Sequence, residues 1–248
     1  MADFRAVKDY QIIVFGIIIC IGAILSTWLL AGGIIKFQKL QNQTITVTGS
    51  ASENVTSDFA TLSIGYKSQA YTLKAGYAQM EAAKTKIKTY LIDKGIEPKN
   101  IDFGQITNYE VYKRYGNYTT NEVDFYKFNG EVKVSSNDVK LIDDISKKIN
   151  ELINQDIEIS YSNVEYLVSN LDDVKIKMVG AATKNAKERA QSMVKSTGDN
   201  IGSLTSAKTG VFQIVPVNST DVSDYGINDT TSIEKKVVAV VNATFSVR

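Results

Sequence analysis

The sequence predicts an α+β fold behind an N-terminal transmembrane helix: a mixed or antiparallel sheet packed with about three helices. Three observations carry this. Residues 12–35 form one apolar run without a charge. Beyond it, the hydrophobic period switches repeatedly between two and about 3.6, as strands and helices require. Those strands and helices do not alternate strictly as βαβ units, which favours α+β over a doubly wound parallel sheet.

The run IIVFGIIICIGAILSTWLLAGGII, Ile12–Ile35, follows a short N-terminal tail of residues 1–11. At about 1.5 Å per residue, such a helix spans a hydrocarbon core of about 30 Å with some tilt. A cleaved signal peptide is the alternative, with Leu30-Ala31-Gly32 as a small-residue cleavage site, but its apolar region is normally about 7–15 residues long. Arg5 and Lys8 before the span balance Lys36 and Lys39 after it, so charge does not orient it. A short tail before one span most often stays cytoplasmic. The expected location is therefore the cytoplasmic membrane, single-pass, with the C-terminal domain extracytoplasmic and the lipid bilayer as a partner. Gly16 and Gly22 lack the spacing of a helix-dimerisation face.

Residues 36–43 read as a polar linker and 44–248 as the folded domain. Ile45–Thr48 alternates and stops at Gly49, which reads as a strand. Ala60, Leu62, Ile64 and Tyr66 place one apolar face on a second. Leu73, Tyr77, Met80, Ile87 and Leu91 then follow helical spacing, with Gly95 as a stop and Pro98 beyond it. Two strands, about Ile101–Tyr115 and Glu122–Ser136, meet through Tyr115-Gly116-Asn117. Asn137-Asp138 caps a second helix carrying Leu141, Ile142, Ile145, Ile149, Leu152 and Ile153. Ile157–Ser169 is strand-like. A third helix, Leu171–Thr197, has an alanine-rich middle suited to close approach to a sheet. Gly202–Val215 reads as a strand, Pro216–Ser232 as a polar loop, and Val237–Val247 as the last strand.

Composition narrows the chemistry. There is no histidine, so the usual base near neutral pH and the commonest metal ligand are missing. The single cysteine, Cys20, lies in the apolar run, which excludes an intrachain disulfide and a zinc cluster. A formal net charge of +1, from 28 basic and 27 acidic residues, gives no electrostatic case for nucleic acid. No cofactor, metal or catalytic residue is expected.

SMVKSTGDNIGSLTSAKTG, Ser192–Gly210, spells S-x-x-K, D-N and K-T-G in the order found in penicillin-recognising serine acyl enzymes. Those enzymes draw the elements from distant parts of a large domain, with the serine at the start of a buried helix. Here Ser192 falls near a helix end and the middle serine is absent, so the stretch reads as structure. Gly198 follows the helix, whereas a phosphate loop precedes one; it is read as the αL helix cap. Asp143-Asp144 and Asp172-Asp173 are adjacent, so neither pair faces a common point on a helix. Both are expected in a first helical turn, complementing the dipole.

Tyr109, Tyr112, Tyr115, Tyr118 and Tyr126 gather on one expected hairpin with Phe125 and Phe128. Such a cluster is either cross-strand pairing on a half-buried sheet, a contact surface for an oligomer or partner, or a carbohydrate platform.

The stretches ITVTGSASENVTSDFATLSIG (Ile45–Gly65), FNGEVKVSS (Phe128–Ser136), AATKNAKERAQSMVKSTGDNIGSLTSAKTG (Ala181–Gly210) and the closing KKVVAVVNATFSVR resemble the SIMPL-domain family. The first matches that family's strand, G-x-G, loop and second strand. The third matches its A-x-x-R-A followed by glycine. Ala51 stands where the family often has glycine, and Ser57 where it has proline. The resemblance implies an envelope protein, secreted or anchored, similar to formers of ring- or channel-shaped oligomers, some linked to stress tolerance. The family has no established catalytic residues. The expectation is a membrane-anchored homo-oligomer, ring or cage, with a structural or envelope-stress role and no enzymatic activity. The alternative is a binding module for an envelope ligand or partner protein through the tyrosine hairpin.

Overall fold

The computed structural model describes residues 3–248, with side chains for 14–33 and 43–248. In chain order the elements are α1 (Asp3–Asn42), β1 (Thr44–Thr56), β2 (Phe59–Ala70), α2 (Leu73–Asp93), β3 (Ile101–Phe103), β4 (Thr107–Tyr115) and β5 (Tyr118–Ser136). Then come α3 (Val139–Lys148), β6 (Glu158–Leu167), α4 (Leu171–Lys195), β7 (Ile201–Thr209), β8 (Gln213–Pro216), β9 (Ile227–Asn228) and β10 (Glu234–Val247). The fold is α+β, as the switching period predicts.

Within α1, Val14–Gly33 is long and apolar enough, by length and composition, to cross a membrane. Its side chains, among them Phe15, Trp28 and Leu29, are exposed. The helix extends past the apolar run at both ends, and the stretch expected as a linker is helical as far as Asn42. The side chains of Ile12, Ile13, Ile34 and Ile35, and of Arg5, Lys8, Lys36 and Lys39, lie outside the described residues.

The strands form two five-stranded sheets. One has the order β1-β10-β8-β9, with β7 also on β10; the other has β3-β5-β2-β6, with β4 also on β5. The chain divides into two compact units: residues 1–50, 181–210 and 240–248, and residues 51–180 and 211–239.

In the larger unit, β2 is the central strand, antiparallel to β5 on one side and β6 on the other. The alternating positions Ala60, Leu62, Ile64 and Tyr66 are all fully buried. They meet Phe128, Val132 and Val134 of β5, Met80, Ile87 and Leu91 of α2, and Ile142 and Ile145 of α3 in one core. Thr72 caps α2 by accepting from the Ala75 amide at 3.2 Å. Gly95, at φ +102°, ends it where the carbonyls of Leu91 and Ile92 accept from Ile96 and Gly95. Asp138 caps α3 by accepting from the Leu141 amide at 3.0 Å. Leu73, Tyr77 and Ile153, read as core from their spacing, are exposed. Leu73 and Tyr77 lie in the first two turns of α2, and Ile153 lies in a 3-10 helix, Ile149–Gln155, that follows α3 where the expected helix continued.

In the smaller unit, Gly49 does not stop its strand. β1 runs through it to Thr56, and an added Cβ there would overlap the Ala182 carbonyl oxygen and stand 2.7 Å from Ala186 Cα. The glycine lets α4 lie directly on the strand. Ala182, Ala186, Ala190 and Val194 are buried at four-residue spacing, and the alanines keep the backbones close. The Ser50 amide donates to Asn185 Oδ1 at 3.2 Å, and Arg189 Nη1 donates to the Thr48 carbonyl at 3.1 Å, fixing the register. Ala181 and Met193, on the same helix, face solvent.

Two expected strands prove interrupted. Ile101–Tyr115 divides into β3 and β4, and Gly202–Val215 into β7 and β8, each of which pairs antiparallel with β10.

Candidate functional site

The strongest candidate site is the end of the β4–β5 hairpin. β2 pairs with β5 only from Ser136 to Tyr126. Beyond that point β4 and β5 pair only with each other, as far as Tyr115 opposite Tyr118. A two-stranded ribbon thus leaves the sheet. Register irregularities at Val111/Tyr112 and Tyr112/Arg114 mark bulges in it, which strengthen local twist.

The pleat divides the aromatic cluster. Tyr109, opposite Lys127, and Phe125, opposite Val111, share one face of the sheet. Tyr126, opposite both Ala70 and Glu110, lies on the other face, partly buried against the core with Phe128. Phe128 packs edge-on against Tyr77 of α2, ring centroids 5.4 Å apart, and lies where a Cβ on Gly76 would stand. Tyr109, Tyr112, Tyr115 and Tyr118 are exposed, Tyr118 at 81%. Among the described residues the one ring pair in contact is Tyr77–Phe128, so the hairpin tyrosines do not stack on one another. The Tyr112 hydroxyl donates to Glu110 Oε2 at 2.5 Å, and that bond raises its pKa. Lys113 pairs with Glu122 at 3.1 Å across the ribbon.

At the base of the ribbon lies a polar cleft of about 280 Å³, lined by Lys67, Gln69, Tyr109, Lys127, Asn129 and Glu158. Lys67 and Glu158 are 3.7 Å apart, both well exposed, and such a pair contributes little to stability.

A buried polar cluster in the same unit escaped the sequence reading. Lys235, only 2% exposed, lies on the inward face of β10 in line with Val237, Ala239, Val241, Ala243 and Phe245. Its ammonium donates to the Tyr166 carbonyl at 2.8 Å and to the Asp229 carbonyl. Burial lowers its pKa, opposed by the nearby Asp229 carboxylate. Burial also pushes Asp229 up, but bonds from Thr231 and Ser232 and the Lys235 charge outweigh it and hold that carboxyl below its ordinary value. The signal was the two-residue period: carried back two residues from Val237, it reaches Lys235.

Neither Asp143 nor Asp144 lies in the first turn of α3, contrary to the expectation for that pair. Asp143 accepts from Lys147 Nζ at 2.5 Å and from the Tyr166 hydroxyl at 2.9 Å. The lysine bond lowers its pKa. Asp172 and Asp173 do occupy the first turn of α4.

The acylase-like stretch falls on three successive pieces of structure. Ser192 and Lys195 are exposed in the last turns of α4, Asp199-Asn200 follow the cap, and Lys208-Thr209 are exposed on β7. Gly198 has φ +88°; its amide donates to the Lys195 carbonyl, and that of Asp199 to the Val194 carbonyl. This is the Schellman pattern, which glycine adopts without strain. Among the described residues no three His, Cys, Asp or Glu side chains are grouped to hold a metal ion.

A family model described as SIMPL, a protein of unknown function (DUF541), matches residues 45–245. No match to a curated protein was found. The family match begins in the first strand, ends in the last and takes in well over half of the 248 residues, so the chain belongs to the SIMPL family.

Proposed function

We propose that this protein is a membrane-anchored SIMPL-domain protein that assembles into a homo-oligomeric ring or cage. Its domain would lie on the extracytoplasmic face of the cytoplasmic membrane, with a structural or envelope-stress role and no reaction of its own. The observation that carries the reading is the ribbon beyond Tyr126. Two strands alone are marginally stable in water, yet this ribbon presents Tyr112, Tyr115 and Tyr118 to solvent. Tyrosine is enriched where surfaces meet, and an unpaired strand edge is a template for another chain. The apolar stretch Val14–Gly33 supports the anchor.

Mass photometry of the full chain extracted in detergent tests the assembly. The expected result is a discrete species many times the 27.3 kDa chain mass; a monomer at micromolar concentration refutes it. Protease protection in intact spheroplasts tests the orientation: the domain is expected to be digested from outside.

The polar cleft at the ribbon's base favours a second reading, a binding module for an envelope ligand. Under it, Tyr109→Ala and Lys127→Ala abolish retention on an array of envelope polymers and lipids while the oligomeric mass stays unchanged.

A further inference from the structure

The larger unit carries a second exposed apolar surface besides the ribbon. The loop after β8 extends Val222 and Tyr225 into solvent at 82% and 97% exposure. Beside Tyr225 opens a groove of about 330 Å³ lined by Leu171, Lys175, Phe212, Ile214 and Ile227. Ile176 of α4 and Val211 are exposed nearby in sequence.

Strand pairing shows where the groove lies. Leu171 follows Leu167, which pairs with Phe59 at the start of β2. Thr230 accepts from the Tyr166 amide and Ile233 from that of Ser57, tying the loop to that same end. The ribbon leaves the sheet at the opposite end, where Ala70 pairs with Tyr126. From Phe59 to Ala70 is about 35 Å along a strand, and the ribbon points further away. No chain can reach its own groove with its own ribbon.

The charges are complementary. Pro216–Ser232 holds three aspartates, Asp221, Asp224 and Asp229, and no lysine or arginine. Asp172 pairs with Lys175 at 3.2 Å and Asp229 faces the buried Lys235, so the carboxylates that the loop offers are Asp221 and Asp224, neither with an ion-pair partner among the described residues. At the ribbon tip Arg114 stands between Tyr112 and Tyr115, and among the described residues it has no ion-pair partner.

We infer that the ribbon of one copy seats in the groove of the next, with Tyr115 and Tyr118 on the apolar lining and Arg114 against Asp224 of the acidic loop. The inference rests on the proposed self-assembly and names its contact. Two different surfaces at opposite ends of one unit give a head-to-tail interface, and such interfaces produce closed rings or open filaments rather than isolated twofold dimers.

Cross-linking tests it in the full chain in detergent. Cys20 is the only cysteine, so a Cys20→Ser background accepts Tyr118→Cys and Val222→Cys, singly and together, followed by oxidation. The expected result is a ladder of covalent dimers, trimers and higher species from the double variant and monomers from either single one. Covalent dimers from Tyr118→Cys alone would show ribbon meeting ribbon and overturn the inference while leaving assembly intact. So would an oligomer by mass with no cross-link in any variant. A monomer by mass refutes the assembly itself and the inference with it. As a second measurement, Arg114→Asp and Asp224→Arg are each expected to lose the high-mass species, and the two combined to restore it. Failure of the pair to restore it, with both chains folded by circular dichroism, overturns the Arg114–Asp224 contact.

Discussion

Replacing Gly49 and Gly180 by alanine, one at a time, makes the same chemical change with opposite expected outcomes. At Gly49 the new Cβ would overlap the Ala182 carbonyl oxygen and stand 2.7 Å from Ala186 Cα, where ordinary contact is 3.4–4 Å. All three nearest atoms are backbone of α4, so the helix must move by about 1 Å rather than a side chain turning aside, and overpacking of this kind costs about 1–3 kcal/mol. The same movement stretches the bonds from Ser50 to Asn185 and from Arg189 to Thr48, each worth about 1 kcal/mol. The unfolded chain loses freedom on gaining a Cβ, which returns about 0.4–1 kcal/mol. The net expectation is a destabilisation of about 2–3 kcal/mol, or roughly 5–10 °C in Tm for a domain of this size. Gly180 is exposed in α4 with nothing within 4 Å of its added Cβ. There alanine raises helix propensity by about 1 kcal/mol, and Tm rises by roughly 2–4 °C. Thermal unfolding of both variants by circular dichroism, in one detergent and buffer, measures the difference. A Gly49→Ala chain as stable as the parent would refute the close approach of β1 and α4.

Phe128→Ala empties the centre of the larger core and is expected to cost about 3–5 kcal/mol, measured as a lower urea midpoint at unchanged slope. Lys235→Met leaves two buried carbonyls and the nearby Asp229 carboxylate without their cation, and is expected to cost about 3 kcal/mol; adding Asp229→Asn should recover part of that in a double-mutant cycle, and a single variant within 0.5 kcal/mol of the parent, on the scale typical of neutral surface changes, refutes the clip. Burial pushes the pKa values of Tyr90 and Tyr166 up to about 12, helped by Glu151 and Asp143 respectively. Each phenol then keeps its proton in the folded state while the unfolded chain loses it near 10, so stability falls between pH 10 and 12, by at most about 2.7 kcal/mol per tyrosine. Tyr90→Phe and Tyr166→Phe together should flatten that fall in urea titrations at stepped pH. Lys235 works in the opposite sense, since its lowered pKa makes its own contribution rise as pH climbs towards 10.5.

Much of the fold was legible because it is written locally. The alternation Ala60, Leu62, Ile64, Tyr66 names a buried face before any partner is known, since successive side chains of a strand point to opposite sides. Gly95 and Gly198 likewise end helices through backbone geometry within a few residues. Gly49 was not legible. A glycine at a turn and a glycine under a helix look alike until Ala182 and Ala186, far along the chain, are laid on the strand. The tyrosine cluster was visible as composition, but its division between Tyr109 and Phe125 on one face and Tyr126 on the other depends on register with β2 and β5.

By itself, then, the sequence determined the family, the apolar span, the element types and most of the inward positions, all properties of short windows and periods. Only the tertiary structure decided that β2 ends its pairing at Tyr126 and frees a ribbon, that Lys235 is buried, and that the ribbon and the Tyr225 groove lie at opposite ends of one unit. Those are consequences of which distant strands pair and where the pairing stops, and no local pattern encodes them.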